Sequence, residues 1–229
     1  MRTPHRGLLA ALLLTGTSLA LSTPSTADEP IPGTTIPCAP IAEKRQDLGC
    51  YVVARQMLGA LREGAPTMFW HLDVFPTRAA AEAARGRFAA VVEAFDRTWL
   101  FTLAPHDWRP EGAAQHVATV GPLPLEKESV EYAAMYLATT FAPSHASFVH
   151  VHPGPEAWFI VSGEHCLETP LGPIRGRAGD GRVVRGNLPM IVHPAGSGVR
   201  RVFTLVLHDT MKPATIPVTN WTPQGLCRS

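Results

Sequence analysis

Three side chains able to hold a metal stand close together in the segment FVHVHPGPEAWFIVSG, residues 148–163. His150 and His152 are two apart, so on an extended strand both imidazoles leave the same face. Pro153, Gly154 and Pro155 then stop the strand and turn it, because two of them lack an N–H and one lacks a Cβ. Glu156 opens a second apolar run that Gly163 closes. A reversal of this kind sets one carboxylate opposite two imidazoles. Such a donor set takes a divalent transition metal and leaves coordination positions open for another ligand. Its softness is borderline, so Fe, Mn, Zn, Ni and Cu are not distinguished. The plain alternative is two surface histidines beside a turn glutamate. Period two puts Trp158 on the Glu156 face, where it either lines the same cavity or fills the core.

His-x-His, three residues, Glu, six residues, Gly resembles the first motif of the cupins, a family of small antiparallel β-barrels. The family's motif opens with a glycine six residues before its first histidine, and Ser144 holds that position here. The best match to the second cupin motif is GDGRVVRGNLPMIVHP, residues 179–194. Gly179 fits, whereas Arg185, Asn187, Met190 and Pro194 stand where the family has Pro, Gly, His and Asn. The resemblance thus puts Met190 in the place of a fourth metal ligand. A thioether suits Cu(I) better than harder ions; otherwise Met190 fills the place with apolar bulk and the metal is held weakly or not at all. His193 lies three residues from Met190 and faces the other side of that strand. The likeness covers about residues 130–209. It implies a double-stranded β-helix barrel, an oxygenase-type or isomerase-type metal enzyme acting on a small organic molecule, and pairing of barrels into a homodimer.

The elements that must position these residues follow a leader. Residues 1–27 have a basic start (Arg2, His5, Arg6), an apolar stretch from Gly7 to Leu21, and the small residues Ser25, Thr26 and Ala27. This predicts a secretory signal peptide cleaved near Ala27, since the apolar stretch is too short to span a bilayer. A secreted or periplasmic location follows. The whole chain has 229 residues, 45% hydrophobic and 17% charged, which suits a globular protein with a real core. A formal net charge of +1 without basic clusters excludes an electrostatic partnership with nucleic acid or an anionic membrane. The expected partner is a small molecule. Cys38, Cys50, Cys166 and Cys227 make an even count for an oxidising compartment, with three pairings open. Cys38–Cys50, closing a short loop, with Cys166–Cys227, tying the tail to the barrel, is preferred over the others and over free buried thiols.

Apolar, β-branched and aromatic runs predict strands at 49–58, 68–75, 91–95, 98–103 and 115–120. A short helix starts at Thr77, which can cap it. Residues 28–128 therefore read as a β-rich N-terminal region with one short helix, and 129–229 as the barrel with a C-terminal tail. Within the barrel, strands are expected at 130–141, 147–152, 156–162, 165–169, 181–184, 190–193 and 201–208. Isolated histidines in the front half (His71, His106, His116) read as structural. No acid–base residue emerges: His193, His208, Glu164, His165 and Glu168 are present, but spacing does not decide which way they face. Three functions remain open: a metal-dependent enzyme built on His150, His152 and Glu156, a small-molecule-binding barrel with a degenerate metal site, and a structural barrel.

Overall fold

The computed structural model describes residues 38–60, 67–112, 114–125, 131–193 and 195–227. The expected signal peptide, the boundary expected at 128/129 and Pro194 of the second motif lie outside the described residues. The fold is mainly β, with one short helix, and all but one of its strand pairs are antiparallel.

The chain starts with β1 (Ala39–Pro40), a 3-10 turn (Ile41–Glu43) and β2 (Gly49–Gly59). Next come β3 (Phe69–Phe75), α1 (Arg78–Ala83), β4 (Ala89–Ala94), β5 (Arg97–Ala104) and β6 (Gln115–Val120). The barrel half holds β7 (Tyr132–Phe141), β8 (His150–Val151), β9 (Glu156–Ser162), β10 (Glu164–Thr169) and β11 (Gly172–Arg177). It finishes with β12 (Gly181–Val184), β13 (Ile191–His193), β14 (Arg200–Asp209) and β15 (Ile216–Pro217). Six strands form one sheet in the order β1-β2-β7-β14-β9-β12. The barrel is completed by β11-β10-β13 and by the pair β15-β8, and a separate sheet runs β4-β5-β3-β6.

The six-stranded sheet is buried on both faces, which is why β7 and β14 read as nearly continuous apolar runs rather than alternating ones. On one face, Tyr136 and Ala138 of β7, Phe159 of β9 and Phe203 and Leu205 of β14 pack against Trp70, Trp99 and Phe101 of the front sheet. On the other, Met135 and Leu137 of β7 and Val206 of β14 point into the barrel beside the Cys38–Cys50 bridge. The division expected at 128/129 does not follow the sheets. β2 comes from the front half in sequence but pairs with β7 over most of its length, so the front half contributes a barrel wall and shares one core with it. An edge that apolar needs a partner, and the sequence alone does not say which sheet supplies it.

α1 starts where Thr77 accepts a hydrogen bond from the Ala80 N–H at 3.1 Å, the cap expected from the sequence. The two-residue strands β1 and β15 and the longer β11 escaped the sequence reading. β11, GPIRGR, is rich in residues that break strands, yet it pairs with β10 along its whole length. Its Gly176 is required by packing, because a Cβ there would press on Ile160 at 2.8 Å and on the Trp158 ring at 3.0 Å. Both disulfides form as preferred, Cys38–Cys50 and Cys166–Cys227.

Candidate metal centre

β8 and β9 carry the three donors, and the turn between them sets their spacing. Gly154 lies so close to β14 that a Cβ would collide with the Leu207 carbonyl. The Leu207 N–H donates to the Pro155 carbonyl at 3.0 Å, which docks the turn on β14. Glu156 thereby comes back opposite His152, with Nε2 and Oε2 2.9 Å apart. The closing glycine of the motif has its own reason. Gly163 adopts φ +81°, and a Cβ there would stand 2.9 Å from that of Arg200.

All three donors are buried, His150 at 7%, His152 at 4% and Glu156 at 5% exposure. One ligating atom from each lies within 4.8 Å of the others. Two ligands sharing an ion at about 2.1 Å can be at most about 4.2 Å apart, and the donors stand near that spacing. The ring orientations suit the task. His150 Nδ1 donates to the Phe148 carbonyl at 2.8 Å, and His152 Nδ1 donates to the Ala214 carbonyl at 2.6 Å. A carbonyl only accepts, so each ring places a proton on Nδ1 and presents Nε2 to the site, where a cation would replace any proton shared with Glu156. Burial first, then the neighbouring His152, holds His150 below its ordinary pKa. For Glu156, burial pulls upward, but the bond from His152 and the nearby imidazoles prevail and hold the carboxyl below its usual range.

The degenerate second motif keeps its backbone role. Asn187 stands at the family's glycine position with φ +58°, a left-handed conformation that Asn tolerates better than most residues. Its N–H donates to the His152 carbonyl at 2.7 Å. Met190 bridges to His150, with N–H to carbonyl bonds of 3.0 and 2.9 Å, so it occupies the register at which the resemblance puts a fourth ligand. It is fully buried among Leu167, Val184, Leu188 and Val192.

A cavity of about 650 Å³ opens beside the three donors, walled by β2, β7, β9, β10, β13 and β14. Neither Trp158 nor Met190 is among the described residues lining it. Trp158 lies one layer deeper, with Ile160 and Val202, and its ring stands 5.0 Å from that of His165. His165 does line the cavity. Burial, helped by the charge of Arg200, depresses its pKa to about 3. The sequence held a clue to its direction. Cys166 faces the tail through its bond to Cys227, so His165 must face the opposite way, inward.

The remaining candidates point elsewhere. His193 Nε2 lies 2.8 Å from Glu168 Oε2, and that carboxylate accepts from the N–H groups of Gln224 and, at 2.9 Å, Leu226. Burial alone would raise Glu168; these two N–H groups and His193 hold it below its ordinary value. This pair fastens the tail. His208 Nδ1 donates to the Asp209 carbonyl at 3.0 Å, and the Glu164 side chain is exposed.

No protein-family model matches the chain, and no curated protein matches it. Solved structures do, over part of its length. A DMSP lyase from Ruegeria pomeroyi is 17% identical, covering 37% of this chain and 43% of its own, with a TM-score of 0.33. A protein with a double-stranded β-helix domain from Klebsiella pneumoniae is also 17% identical, covering 43% of this chain and 84% of its own, with a TM-score of 0.33. An oxalate decarboxylase from Lactobacillus farciminis is 15% identical, covering 37% of this chain and only 26% of its own, with a TM-score of 0.32. The match thus spans less than half of the lyase and of the decarboxylase. The strand order is that of a mainly antiparallel β-barrel, and the motif residues between His150 and Gly163 carry the resemblance to the cupins.

Proposed function

We propose that this chain is an exported cupin-type barrel that binds one divalent transition metal through His150, His152 and Glu156 and acts with it on a small organic molecule in the adjoining cavity. The observation that carries this reading is the pair of Nδ1–H bonds to backbone carbonyls, which turns both Nε2 atoms to the site of a buried carboxylate. A divalent ion held there supplies a Lewis acid with open positions for an oxygen ligand. The protein's part is to bury and orient the donors and to limit water with a largely apolar wall.

A second reading has its own support. Met190, in the register of a fourth ligand, adds no strong donor, and a three-donor site binds metal less tightly. The chain would then be a binding barrel that carries or senses the small molecule without turning it over. Elemental analysis of the mature protein, purified with and without air, tests the first reading. Close to one metal per chain is expected, lost in His150→Ala. No metal under either condition removes the enzyme. A melting-temperature screen against small organic acids and phenols then tests the second, since a ligand bound to the native state raises the midpoint.

A further inference from the structure

Among the cavity-lining residues beyond the metal donors, His165 stands out. It is 4% exposed, and its Nδ1 is enclosed with no hydrogen-bond partner. Nε2 has no hydrogen-bond partner among the described residues either and is not one of the enclosed atoms, so it is the nitrogen that can meet a ligand in the cavity. A neutral imidazole has one proton to place. An enclosed N–H without a partner is rarer and costlier than an enclosed lone pair, so the proton belongs on Nε2. The ring cannot turn freely to seek another partner. Trp158 packs against it at 5.0 Å and 66°, and Phe141 stacks above it at 6.3 Å and 14°. The depressed pKa supports the same picture, because this ring stays neutral and singly protonated.

The charges of the wall say what the donor meets. Among the described lining residues only Glu156 and the exposed Arg55 carry charge when the histidines are neutral. A divalent ion beside Glu156 leaves one positive charge unbalanced, which one anionic oxygen group would neutralise. The rest of the wall includes Val52, Met135, Leu137 and Phe148, fit for an apolar body. We propose that His165 donates a hydrogen bond from Nε2 to a singly anionic oxygen ligand bound at the metal, and so orients ligands that join such a head to an apolar body. This rests on the metal reading of His150, His152 and Glu156. His165 acts as a neutral donor throughout and neither takes up nor releases a proton.

The test uses Co(II) as the metal and benzohydroxamate as the probe, with visible absorption as the readout. Wild-type protein, His165→Phe and His165→Gln are titrated first with Co(II) and then with benzohydroxamate. Co(II) should bind all three alike and give the same ligand-free spectrum. Benzohydroxamate should then bind His165→Phe roughly three- to tenfold more weakly than wild type, the range of one neutral hydrogen bond. His165→Gln, which keeps an N–H donor, should recover most of that loss. Equal probe affinity in wild type and His165→Phe, or equal weakening in both variants, overturns the role of His165 and leaves the metal reading standing. Failure of wild-type protein to bind Co(II) overturns both. Far-UV circular dichroism and melting curves identify a variant that has lost its fold, and the pairing of Phe with Gln keeps the outcome decisive if one does.

Discussion

Two groups of two histidines and one carboxylate occur in this molecule, and they differ in what their nitrogens do. In the front sheet, His71 Nε2 donates to the Pro105 carbonyl at 2.9 Å, and its Nδ1 lies 3.2 Å from Thr119 Oγ1. His116 Nδ1 meets Asp73 Oδ1 at 2.8 Å, and its Nε2 meets the same Thr119 hydroxyl at 3.0 Å. All four ring nitrogens are occupied, so none is left for a ligand. In the barrel, backbone carbonyls take both Nδ1 protons, and the Nε2 atoms are left near Glu156. Residue type alone does not separate the two groups. Their partners do: the front group ties the Pro105 loop to β3 and β6 through all four nitrogens, whereas in the barrel His152 Nε2 meets Glu156 and His150 Nε2 has no hydrogen-bond partner among the described residues.

The comparison breaks most easily at the metal. His150→Ala should take metal content from near one per chain to near zero, while His71→Ala leaves it at the wild-type value; elemental analysis reads both. If His71→Ala also empties the protein, the front group is not merely structural. Next in size is stability. Asp73 is fully buried, and removing its carboxylate from the ring of His116 should lower the unfolding free energy by about 3 kcal/mol in a urea titration, with metal content unchanged. A loss under about 1 kcal/mol would mean that the front network holds little together.

Acid should weaken both regions. His165 and His71 are neutral in the fold with lowered pKa values, chiefly from burial. On unfolding each regains an ordinary value and takes up a proton, so the unfolded state binds more protons as pH falls below about 6.5. Stability therefore declines on acidification, for His165 down to about pH 3, by at most about 1.4 kcal/mol per pH unit from that ring. Melting midpoints between pH 7 and 4 check this, and His165→Phe should flatten the slope. The smallest effect lies outside both groups. Thr77→Ala should cost about 1 kcal/mol through its lost helix cap and leave metal and pH behaviour alone.

Much of the three-donor group was legible because its parts are local. The His-x-His spacing, the Pro-Gly-Pro turn and Glu156 lie within seven residues, and period two does the rest. The disulfides and the helix cap were legible for similar reasons. What lay hidden depends on distant partners. β11 forms against its partner β10, with Gly176 leaving room for Trp158 and Ile160. β2 joins the barrel because β7 offers it an edge, which no pattern within residues 49–59 can announce. His165 was unreadable until the Cys166 bond fixed the facing of β10.

The carbonyl that orients His152 belongs to Ala214, 62 residues further along the chain. Nearby, Ile216 and Pro217 pair with β8, the strand that carries His150. Every donor is thus in hand well before the segment that aims one of them has been made. A chain ending after Asp209 would contain all three ligating side chains yet lack the acceptor that sets the His152 tautomer. A stretch that follows all three donors in the chain is the one that finishes the site.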